Sequence, residues 1–579
     1  MNGGHGRRGA PTRYTGSVGA DPEPKRRAGR LLVRVLGWSL PAALAAAAFL
    51  LVARARAEAD LARAAQLLIE ARPAEARPLL DAHRDSGRVG GRARAGLALA
   101  AALDGASATV DFAPPDLAPY RPRTLMDSAL RRGAFDATER LARLARESGD
   151  PGAAAYEAAA LVEKGDDRAA AALLAEFPGF ATAPGLGQRL ARVLEAHGAG
   201  ATVTVTDRRG VLAGFLDAGG TFHPEPGGAA DVIPAPALGA ARAKGNRGVR
   251  LGTDFDLSAT ALAALGSERG SIVLIDLATG EVRAAVTDAR TRASAGGTPA
   301  FEQAREPASI LKIITTAAAI RAGHDADAEV RGMACNGSQR YRGGVLWCSY
   351  PAGPLTGGLK EAFAISCNIA FANLAVEIGW PSMVDELHRW GFDRPRDELP
   401  GVPTHRDGGH SAGRVLQTEG TERELASLGV GLDLTEITPL HAALLGSVLA
   451  RGEMVEPALL SADDGVLGLS PRPVVHPAAH RLLEPAWVPL MQRALAGVVE
   501  EGGTAEGVAP ETFPVVMKTG TASTPGLGYH VNYVGVGPMP HPKIAFAVRI
   551  TNQPTSHRVR DAAQDVLANL LEALGRRAW

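Results

Sequence analysis

The chain has 579 residues, with 62 Lys and Arg against 62 Asp and Glu, so its formal net charge is zero. This balance excludes a bulk attraction to nucleic acid or to acidic lipid, and the length predicts about two to four domains. Three cysteines are too few for a disulfide scaffold. The sequence predicts no metal site, no cofactor and no nucleic-acid partner.

The N-terminal region predicts a membrane anchor. Residues 35–53, VLGWSLPAALAAAAFLLVA, are 19 residues without a charge, about the length that spans a bilayer core. The preceding tail, residues 1–34, is polar and rich in Gly, Pro and Arg, which predicts disorder. Its eight basic against two acidic residues place the tail in the cytoplasm and everything after residue 56 outside. A cleaved signal peptide is the alternative, because Ala53-Arg54-Ala55 has the small-x-small form, although the apolar stretch is longer than a usual signal core.

Residues 57–200 alternate short Ala/Leu/Arg helical patterns with Gly, Asp and Pro breaks. The stretch LRRGAFDATERLARLA, 130–145, aligns with VEKGDDRAAAALLAEF, 162–177, at a period of 32 residues. Tetratricopeptide-like helical hairpins repeat in this way, and an irregular helical bundle is the alternative.

Residues 201–250 predict a small β and linker segment, with a strand, a turn at 207–210, a second strand and a connection rich in Gly, Pro and Ala.

Residues 251–579 predict one mixed domain. GSIVLIDLATGEVRAAVTD, 270–288, has the pattern of a β-hairpin, and three strand patterns, PVVMKTGTAST, HVNYVGVGPMP and PKIAFAVRITN, follow one another near the end. A final helix is expected over about 556–575. Strands at both ends with helices between them predict an α/β (α+β layered) fold with a central antiparallel sheet.

Three polar motifs interrupt the apolar patterns of this domain. In EPASILKIITT, 306–316, Ser309 and Lys312 lie three residues apart in an apolar run. Burying an ammonium is costly unless it is paired or loses its proton, and a neutral lysine beside a hydroxyl is a base next to a nucleophile. Alone, a serine at a helix start is as well explained as a cap.

The second motif is Ser366-Cys367-Asn368, between apolar helical flanks. Residues two apart do not share a helix face, so a break there would let both polar side chains point into one cleft. A polar kink between two core helices explains the motif equally well by itself.

The third motif is Lys518-Thr519-Gly520-Thr521, on a probable strand, where glycine permits close approach to the backbone. An edge strand with a solubilising lysine is the alternative.

In this order the three motifs are those of the serine penicillin-interacting enzymes. Residues from about 250 to 575 resemble the transpeptidase domain of penicillin-binding proteins, of the class B-like, monofunctional type. The likeness extends to LGVGLDLTEITPLHAALLGSVLARGEMVEP and to VVEEGGTAEG, which precedes the third motif. EPAS stands where the family usually has EPGS, and MKTG where it has GKTG.

The resemblance implies a peptidoglycan D,D-transpeptidase, a serine acyltransferase that cross-links stem peptides and binds penicillin covalently. Ser309 would be the acylated nucleophile and Lys312 its base. Ser366 would pass the proton to the departing amine, and Asn368 would hold the acyl-chain amide. The donor would be a D-Ala-D-Ala peptide, which β-lactams mimic.

In the same mapping Lys518 would supply positive charge. Thr519 and Thr521, with Gly520 between them, would bind the terminal carboxylate of the donor. The backbone N–H groups of Ser309 and Thr521 would form the oxyanion hole. The expected location is the cytoplasmic (inner) membrane, single-pass, with the catalytic domain outside, and cell-wall assembly proteins are expected partners of residues 57–200.

Cys335 and Cys348 lie 13 residues apart, and related proteins have a similar pair before the second motif, so a disulfide between them is expected outside the membrane. Two unbonded or metal-linked thiols are the alternative. The functional alternatives are a D,D-carboxypeptidase, a β-lactam-hydrolysing or β-lactam-sensing serine enzyme, and a non-enzymatic assembly scaffold.

Overall fold

The computed structural model describes residues 25–106, 112–181, 185–225, 233, 237–239, 247–295, 298–351, 353–394, 413–474, 479–524 and 526–577. Over residues 25–42, and at 114, 118, 119, 181 and 295, it describes the backbone alone. The chain divides into two compact units, residues 1–125 with 147–150 and residues 126–146 with 151–579. The predicted helical region, 57–200, is therefore shared between the two units.

The first unit is helical. Its helices are α1 (Lys25–Ile69), α2 (Pro73–Asp81) and α3 (Gly90–Leu103), followed by a 3-10 segment, Pro114–Tyr120, and the start of α4 (Pro122–Arg131). Its core is leucine- and alanine-rich, with Leu68, Leu80 and Leu99 fully buried. Of the predicted disordered tail, residues 1–24 lie outside the described residues, and residues 25–34 belong to α1.

Helix α1 runs without a break through the predicted anchor and ends at Ile69. Five large apolar side chains in the described part of the predicted anchor are exposed: Leu44, Phe49, Leu50, Leu51 and Val52. Within the part of the chain that the structure describes, no helix has both the length and the apolarity to cross a membrane. The anchor therefore stays a prediction.

The second unit contains the remaining helices, of which the first five precede the first strand and the others are interspersed with strands. They are α5 (Phe135–Glu147), α6 (Ala154–Lys164), α7 (Asp167–Glu176), α8 (Pro178–Ala181), α9 (Leu186–Gly198), α10 (Phe255–Leu265), α11 (Ala289–Ala295), α12 (Pro299–Glu302), α13 (Lys312–Arg321), α14 (Ala326–Val330), α15 (Leu359–Ala364), α16 (Asn368–Arg389), α17 (Glu422–Val430), α18 (Pro439–Arg451), α19 (Val488–Ala496) and α20 (Ser556–Gly575). The last coincides with the predicted final helix.

The strands of this unit are β1 (Ala201–Thr206), β2 (Leu212–Asp217), β3 (Phe222–Pro224), β4 (Gly248–Leu251), β5 (Gly270–Asp276), β6 (Val282–Thr287), β7 (Ala334–Cys335), β8 (Ser338–Tyr341), β9 (Gly344–Trp347), β10 (Gly353–Pro354), β11 (Gly413–Val415), β12 (Thr435–Ile437), β13 (Glu453–Met454), β14 (Leu460–Asp464), β15 (Arg472–Pro473), β16 (His480–Arg481), β17 (Val516–Thr524), β18 (Gly528–Gly537) and β19 (Ile544–Gln553). The predicted hairpin of 270–288 is β5 and β6, and the three predicted consecutive strands are β17, β18 and β19.

The central sheet has five strands in the order β17-β18-β19-β5-β6, and every neighbouring pair is antiparallel. This confirms the predicted antiparallel sheet. Strand β19 is buried at its first eight positions, and since neighbouring residues of a strand face opposite sides, both of its faces are covered. Helices α18 and α20 both pack against β18 and β19. Strand β17 lies at the edge of the sheet, where it contacts the turn that holds Ser309.

A second sheet has six strands in the order β15-β14-β4-β1-β2-β3. The strand–turn–strand predicted at 201–217 is present as β1 and β2, with the Gly210 N–H donating to the Asp207 carbonyl at 2.9 Å. Strand β4 pairs with β1 in parallel and with β14 in antiparallel orientation. The segment predicted as a small β and linker region thus shares its sheet with residues from beyond 460.

Candidate active site

The turn Ala308–Leu311, a 3-10 segment, carries Ser309 and leads directly into α13. Ala308 has a left-handed backbone, φ 53°, and its carbonyl lies so close to Gly431 that a Cβ there would meet the oxygen at 2.1 Å. Ser309 is half-buried, and its hydroxyl makes no hydrogen bond to another described residue. The nucleophile candidate therefore has a free hydroxyl on a backbone that its neighbours fix.

Lys312 is fully buried at the first position of α13. Its Nζ donates to the Ser366 carbonyl at 2.8 Å, to Ser366 Oγ at 3.2 Å and to Asn368 Oδ1 at 2.8 Å. Burial lowers the pKa of Lys312 to about 8, although the neighbouring thiols oppose that shift. The sequence pattern suggested a direct contact between Lys312 and Ser309, whereas in the structure Lys312 bonds to the second motif.

The second motif lies at a break between α15 and α16. Ser366 has a left-handed backbone, φ 55°, and Asn368 is the first residue of α16. The Asn368 side chain donates to the Trp347 carbonyl at 2.9 Å and accepts from Lys312. The predicted break is present, and because of it Ser366 and Asn368 both reach Lys312.

The third motif brings a second lysine to the same hydroxyl. Lys518 Nζ donates to Ser366 Oγ at 2.9 Å and to the Thr519 carbonyl at 2.9 Å. Lys518 is fully buried, and burial, followed by the charge of Lys312, holds its pKa well below the usual lysine range. Since two ammonium groups on one acceptor repel, the charge of Lys312 favours the neutral form of Lys518.

The threonines of the third motif differ in access. Thr519 is buried, and its hydroxyl is 2.8 Å from Thr504 Oγ1 and accepts from Lys518 Nζ at 3.4 Å, so it lies beside the lysine of its own motif. Thr521 is half-buried on the edge strand. Thr504 itself lies in the VVEEGGTAEG segment and was not singled out from the sequence.

Gly520 allows β17 to lie against the nucleophile turn. A Cβ at this position would meet the Pro307 carbonyl at 2.8 Å, Ser309 N at 3.0 Å and Ile310 N at 3.1 Å. Contacts below 3.0 Å with backbone require something to move. The absence of a side chain thus brings the third motif directly beside the Ser309 backbone N–H.

Three polar residues that the sequence reasoning missed support Glu306 and Pro307, the segment before the Ser309 turn, which we call the strap. His530 and Asn532 bond to the Glu306 carbonyl at 3.0 and 3.1 Å, and Asn532 Nδ2 also donates to the Pro307 carbonyl at 3.2 Å. Arg549 Nε donates to Asn532 Oδ1 at 2.6 Å. The sequence did contain a pattern that could have identified them. Polar residues at alternate positions of an apolar strand are unusual, and so is an arginine within the next apolar strand.

Burial shifts the pKa values of the ionisable groups around the strap. Arg549 is fully buried, and its remaining nitrogens donate to the Gln303 and Ile437 carbonyls at 2.7 and 2.9 Å. Burial lowers its pKa to about 9. Burial also lowers the pKa of His530 to about 4 and raises that of Glu306 to about 7. A neutral His530 can therefore donate to the Glu306 carbonyl without adding a second buried charge beside Arg549.

The three cysteines are free thiols in this structure. The disulfide expected between Cys335 and Cys348 is thus not formed here, and that pairing stays a prediction. Cys367, interpreted from the sequence as a packing residue, is fully buried with its Sγ 4.0 Å from that of Cys348.

Residues 270–572 match the family described as penicillin binding protein transpeptidase domain. The chain belongs to this family. The matched range contains all three motifs, the five-stranded sheet and most of α20, so the transpeptidase resemblance read from the motifs is confirmed.

Named relatives agree with this assignment. The penicillin-binding protein PbpB of Mycolicibacterium smegmatis is 27% identical over 312 residues, which cover 49% of this chain and 46% of that protein. The peptidoglycan D,D-transpeptidase PbpA of the same organism is 26% identical over 329 residues, which cover 49% of this chain and 62% of that protein. The chain thus spans between about half and three fifths of the length of these relatives.

Solved structures of this transpeptidase family share the fold. The D,D-transpeptidase domain of a peptidoglycan glycosyltransferase from Eggerthella lenta superposes with a TM-score of 0.53 at 21% identity, covering 65% of this chain and 99% of that one. Penicillin-binding protein 3 of Mycobacterium tuberculosis, complexed with aztreonam, gives a TM-score of 0.54 at 20% identity, covering 66% and 97%. At these identities the likeness establishes the fold.

Proposed function

We propose that the chain is a peptidoglycan D,D-transpeptidase that forms an acyl-enzyme on Ser309. The observation that carries this proposal is the shared contact of Lys312 and Lys518 with Ser366 Oγ, at 3.2 and 2.9 Å, beside a turn that leaves the Ser309 hydroxyl free. Two buried lysines that share one hydroxyl and have lowered pKa values are costly for stability alone, and such groups are typical of catalytic sites. Membership of the transpeptidase family supports the same reading.

In the first half-reaction Ser309 Oγ attacks the carbonyl between the two terminal D-Ala residues of a stem peptide. Its proton goes to neutral Lys312, and Ser366, which Lys312 and Lys518 both contact, delivers a proton to the departing D-Ala amine. The N–H groups of Ser309 and Thr521 stabilise the oxyanion, each worth about 3–4 kcal/mol in comparable sites. The close packing at Gly520 supports this placement.

Substrate binding uses the remaining polar groups. Asn368 holds the acyl-chain amide of the donor, and Lys518 and Thr521 hold its terminal carboxylate. Thr519, whose hydroxyl accepts from Lys518 Nζ at 3.4 Å and bonds to Thr504, contributes to the same carboxylate site. In the second half-reaction the amine of a neighbouring stem peptide takes the acyl group from Ser309. A β-lactam enters the first half-reaction only and leaves a lasting acyl-enzyme.

The location proposed is the outer side of the cytoplasmic membrane, with residues 35–53 as a single-pass anchor. The unpartnered apolar side chains at Leu44 and 49–52 support this placement, because a soluble helix rarely exposes five large apolar residues together. Residues 57–200 are proposed to bind cell-wall assembly proteins, for which their helical composition is the support.

The test uses full-length chain in detergent with a synthetic stem peptide ending in D-Ala-D-Ala and a second peptide that provides the acceptor amine. The proposal predicts release of D-Ala together with a cross-linked product, and neither with the Ser309→Ala variant. Release of D-Ala without cross-linking would replace the proposal with a D,D-carboxypeptidase. Rapid turnover of penicillin with no D-Ala release would indicate a β-lactam hydrolase instead.

A further inference from the structure

All three cysteines of the chain meet behind the second motif. The Sγ atoms of Cys335, Cys348 and Cys367 lie within 4.8 Å of one another, and each side chain is buried, with exposures of 1%, 7% and 0%. Cys335 ends β7, Cys348 follows β9, and Cys367 is the middle residue of the second motif. The proposed reaction assigns no step to any of these thiols, which we call the thiol cluster.

The thiol cluster touches the residues that position the base. The Asn368 N–H donates to Cys348 Sγ at 3.3 Å, and the Asn368 side chain accepts from Lys312 at 2.8 Å. The charged groups that face Lys312 are Lys518 on β17 and these three thiols. Negative charge on the cluster favours the ammonium form of Lys312, and it therefore opposes the effect of burial on the pKa of that lysine.

Within the cluster, Cys348 and Cys367 are the pair in direct contact, with Sγ atoms 4.0 Å apart. Hydrogen bonding from Cys367 lowers the pKa of Cys348 to about 5, whereas the pKa of Cys367 is raised. Cys348 is accordingly the more acidic thiol of the pair, and thiolates are the attacking species in disulfide exchange. Cys335 donates to the Tyr350 carbonyl at 3.9 Å and remains beside the pair.

We propose that Cys348 and Cys367, rather than Cys335 and Cys348, are the disulfide site, that the bond ties the second motif to the end of β9, and that an extracytoplasmic dithiol–disulfide oxidase forms it before folding buries the two thiols. The Cys348 thiolate attacks the disulfide of the oxidase to give a mixed disulfide. Cys367 then loses its proton and attacks Cys348 Sγ, which releases the oxidase as a dithiol with the two electrons, the Cys367 proton and one proton from solvent. The oxidising compartment follows from the location proposed above.

The bond has two consequences for the active site. Closing the Sγ–Sγ distance from 4.0 Å to about 2.05 Å fixes the residue between Ser366 and Asn368, both of which contact Lys312. It also removes thiolate charge from behind Lys312, so the neutral, basic form of Lys312 becomes more populated near neutral pH. The oxidised protein is therefore the more active form.

The first test is a disulfide map of the full-length chain, purified without reductant, acid-quenched, alkylated and digested with trypsin. The sequence places each cysteine on its own tryptic peptide, 332–340, 343–360 and 361–389, so the linkage can be read without ambiguity. The proposal predicts a bond between 343–360 and 361–389. A bond between 332–340 and 343–360, or three alkylated cysteines with or without a retained metal ion, would overturn it.

The second test measures acylation of the full-length chain by a fluorescent penicillin with and without a phosphine reductant. Reduction is expected to slow acylation at pH 7 about three- to tenfold and to move the pH-rate inflection upward by up to about one unit, in wild type and in Cys335→Ser. Cys348→Ser should show no response to the reductant. A wild-type rate that ignores the reductant, or a response that persists in Cys348→Ser, would contradict the proposal. The disulfide map does not depend on Ser309 chemistry, so a failure of the proposed function is distinguishable from a failure of this inference.

Discussion

Lys312, of the first motif, and Lys518, of the third, donate to the same oxygen of the second motif, Ser366 Oγ, at 3.2 and 2.9 Å. Both lysines are fully buried, and among the described residues their hydrogen-bond acceptors are hydroxyl, carbonyl and amide oxygens, with no carboxylate. Burial and mutual repulsion therefore favour loss of a proton from the pair. This shared acceptor connects the three motifs physically, although 54 and 152 residues separate Ser366 from the two lysines.

The pH dependence of acylation follows from the pKa of Lys312, which burial lowers to about 8. Only the neutral amine can accept the Ser309 proton, so the second-order acylation rate of the reduced protein should rise with pH and level off above about pH 8. At pH 6 it should be about a hundredfold below the plateau. Stopped-flow acylation by a fluorescent penicillin measures this profile.

Two variants check that assignment. Lys312→Arg keeps a cation that cannot be deprotonated in the accessible range, so acylation should be lost at every pH. Lys360→Arg, at an exposed lysine paired with Glu500, should retain the wild-type profile. A flat wild-type profile between pH 6 and 9 would show that Lys312 is not the base.

Gly520→Ala tests the close packing of β17 against the nucleophile turn. The new Cβ would meet the Pro307 carbonyl at 2.8 Å and Ser309 N at 3.0 Å, and the turn must shift to accommodate it. Acylation is expected to fall about a hundredfold, since displacements of about 1 Å have effects of that size. Gly198→Ala is the matched control, because a Cβ there meets nothing within 4 Å, and its rate should be unchanged. Equal rates for the two variants would contradict the packing argument.

Asn532→Ala tests the support behind the Ser309 strap. The change removes the donors to the Glu306 and Pro307 carbonyls and leaves buried Arg549 Nε without its acceptor. The free energy of unfolding should fall by about 2–4 kcal/mol, with slower acylation of the folded fraction. Chemical denaturation and fluorescent penicillin labelling measure the two effects, and the exposed Asn336→Ala is the control. Wild-type stability in Asn532→Ala would show that these bonds are not structural.

Glu306→Gln tests the carboxyl group whose pKa burial raises to about 7. Because the folded-state pKa lies above the unfolded value, the protonated acid favours folding, and that contribution is lost as pH rises from about 4.5 through 7. Wild type should therefore lose Tm relative to Glu306→Gln between pH 5 and pH 8. Thermal unfolding of both proteins at the two pH values checks this, and a Tm difference that does not change with pH would refute it.

The sequence predicted the chemistry of the site better than its support. Ser309, Lys312, Ser366, Asn368 and Lys518 were identified because polar residues stand out in apolar patterns, and the five-stranded sheet because β17 to β19 follow one another in the chain. The pairing of β14 with β4 depends on contacts between residues more than 200 positions apart, which no local pattern encodes. For the same reason the bond of Thr519 to Thr504 and the thiol cluster became visible only in three dimensions.

The helix pattern also missed the local geometry at the nucleophile. Spacing of three residues suggested that Ser309 and Lys312 share a helix face, whereas Ser309 lies in a 3-10 turn and Lys312 begins the α-helix. The turn depends on the left-handed Ala308 and on its packing against Gly431. These contacts with a distant segment determine a backbone that local propensity does not favour.

The most direct test of the central claim is covalent labelling of the full-length chain by a fluorescent penicillin, compared with Ser309→Ala and with Ser294→Ala, which changes an exposed serine. The account predicts a stable labelled band for wild type and for Ser294→Ala, with its mass increase on the tryptic peptide that contains Ser309, and no band for Ser309→Ala. A band of wild-type intensity in Ser309→Ala, or none in the wild type, would contradict the acyl-enzyme on which the proposed function depends.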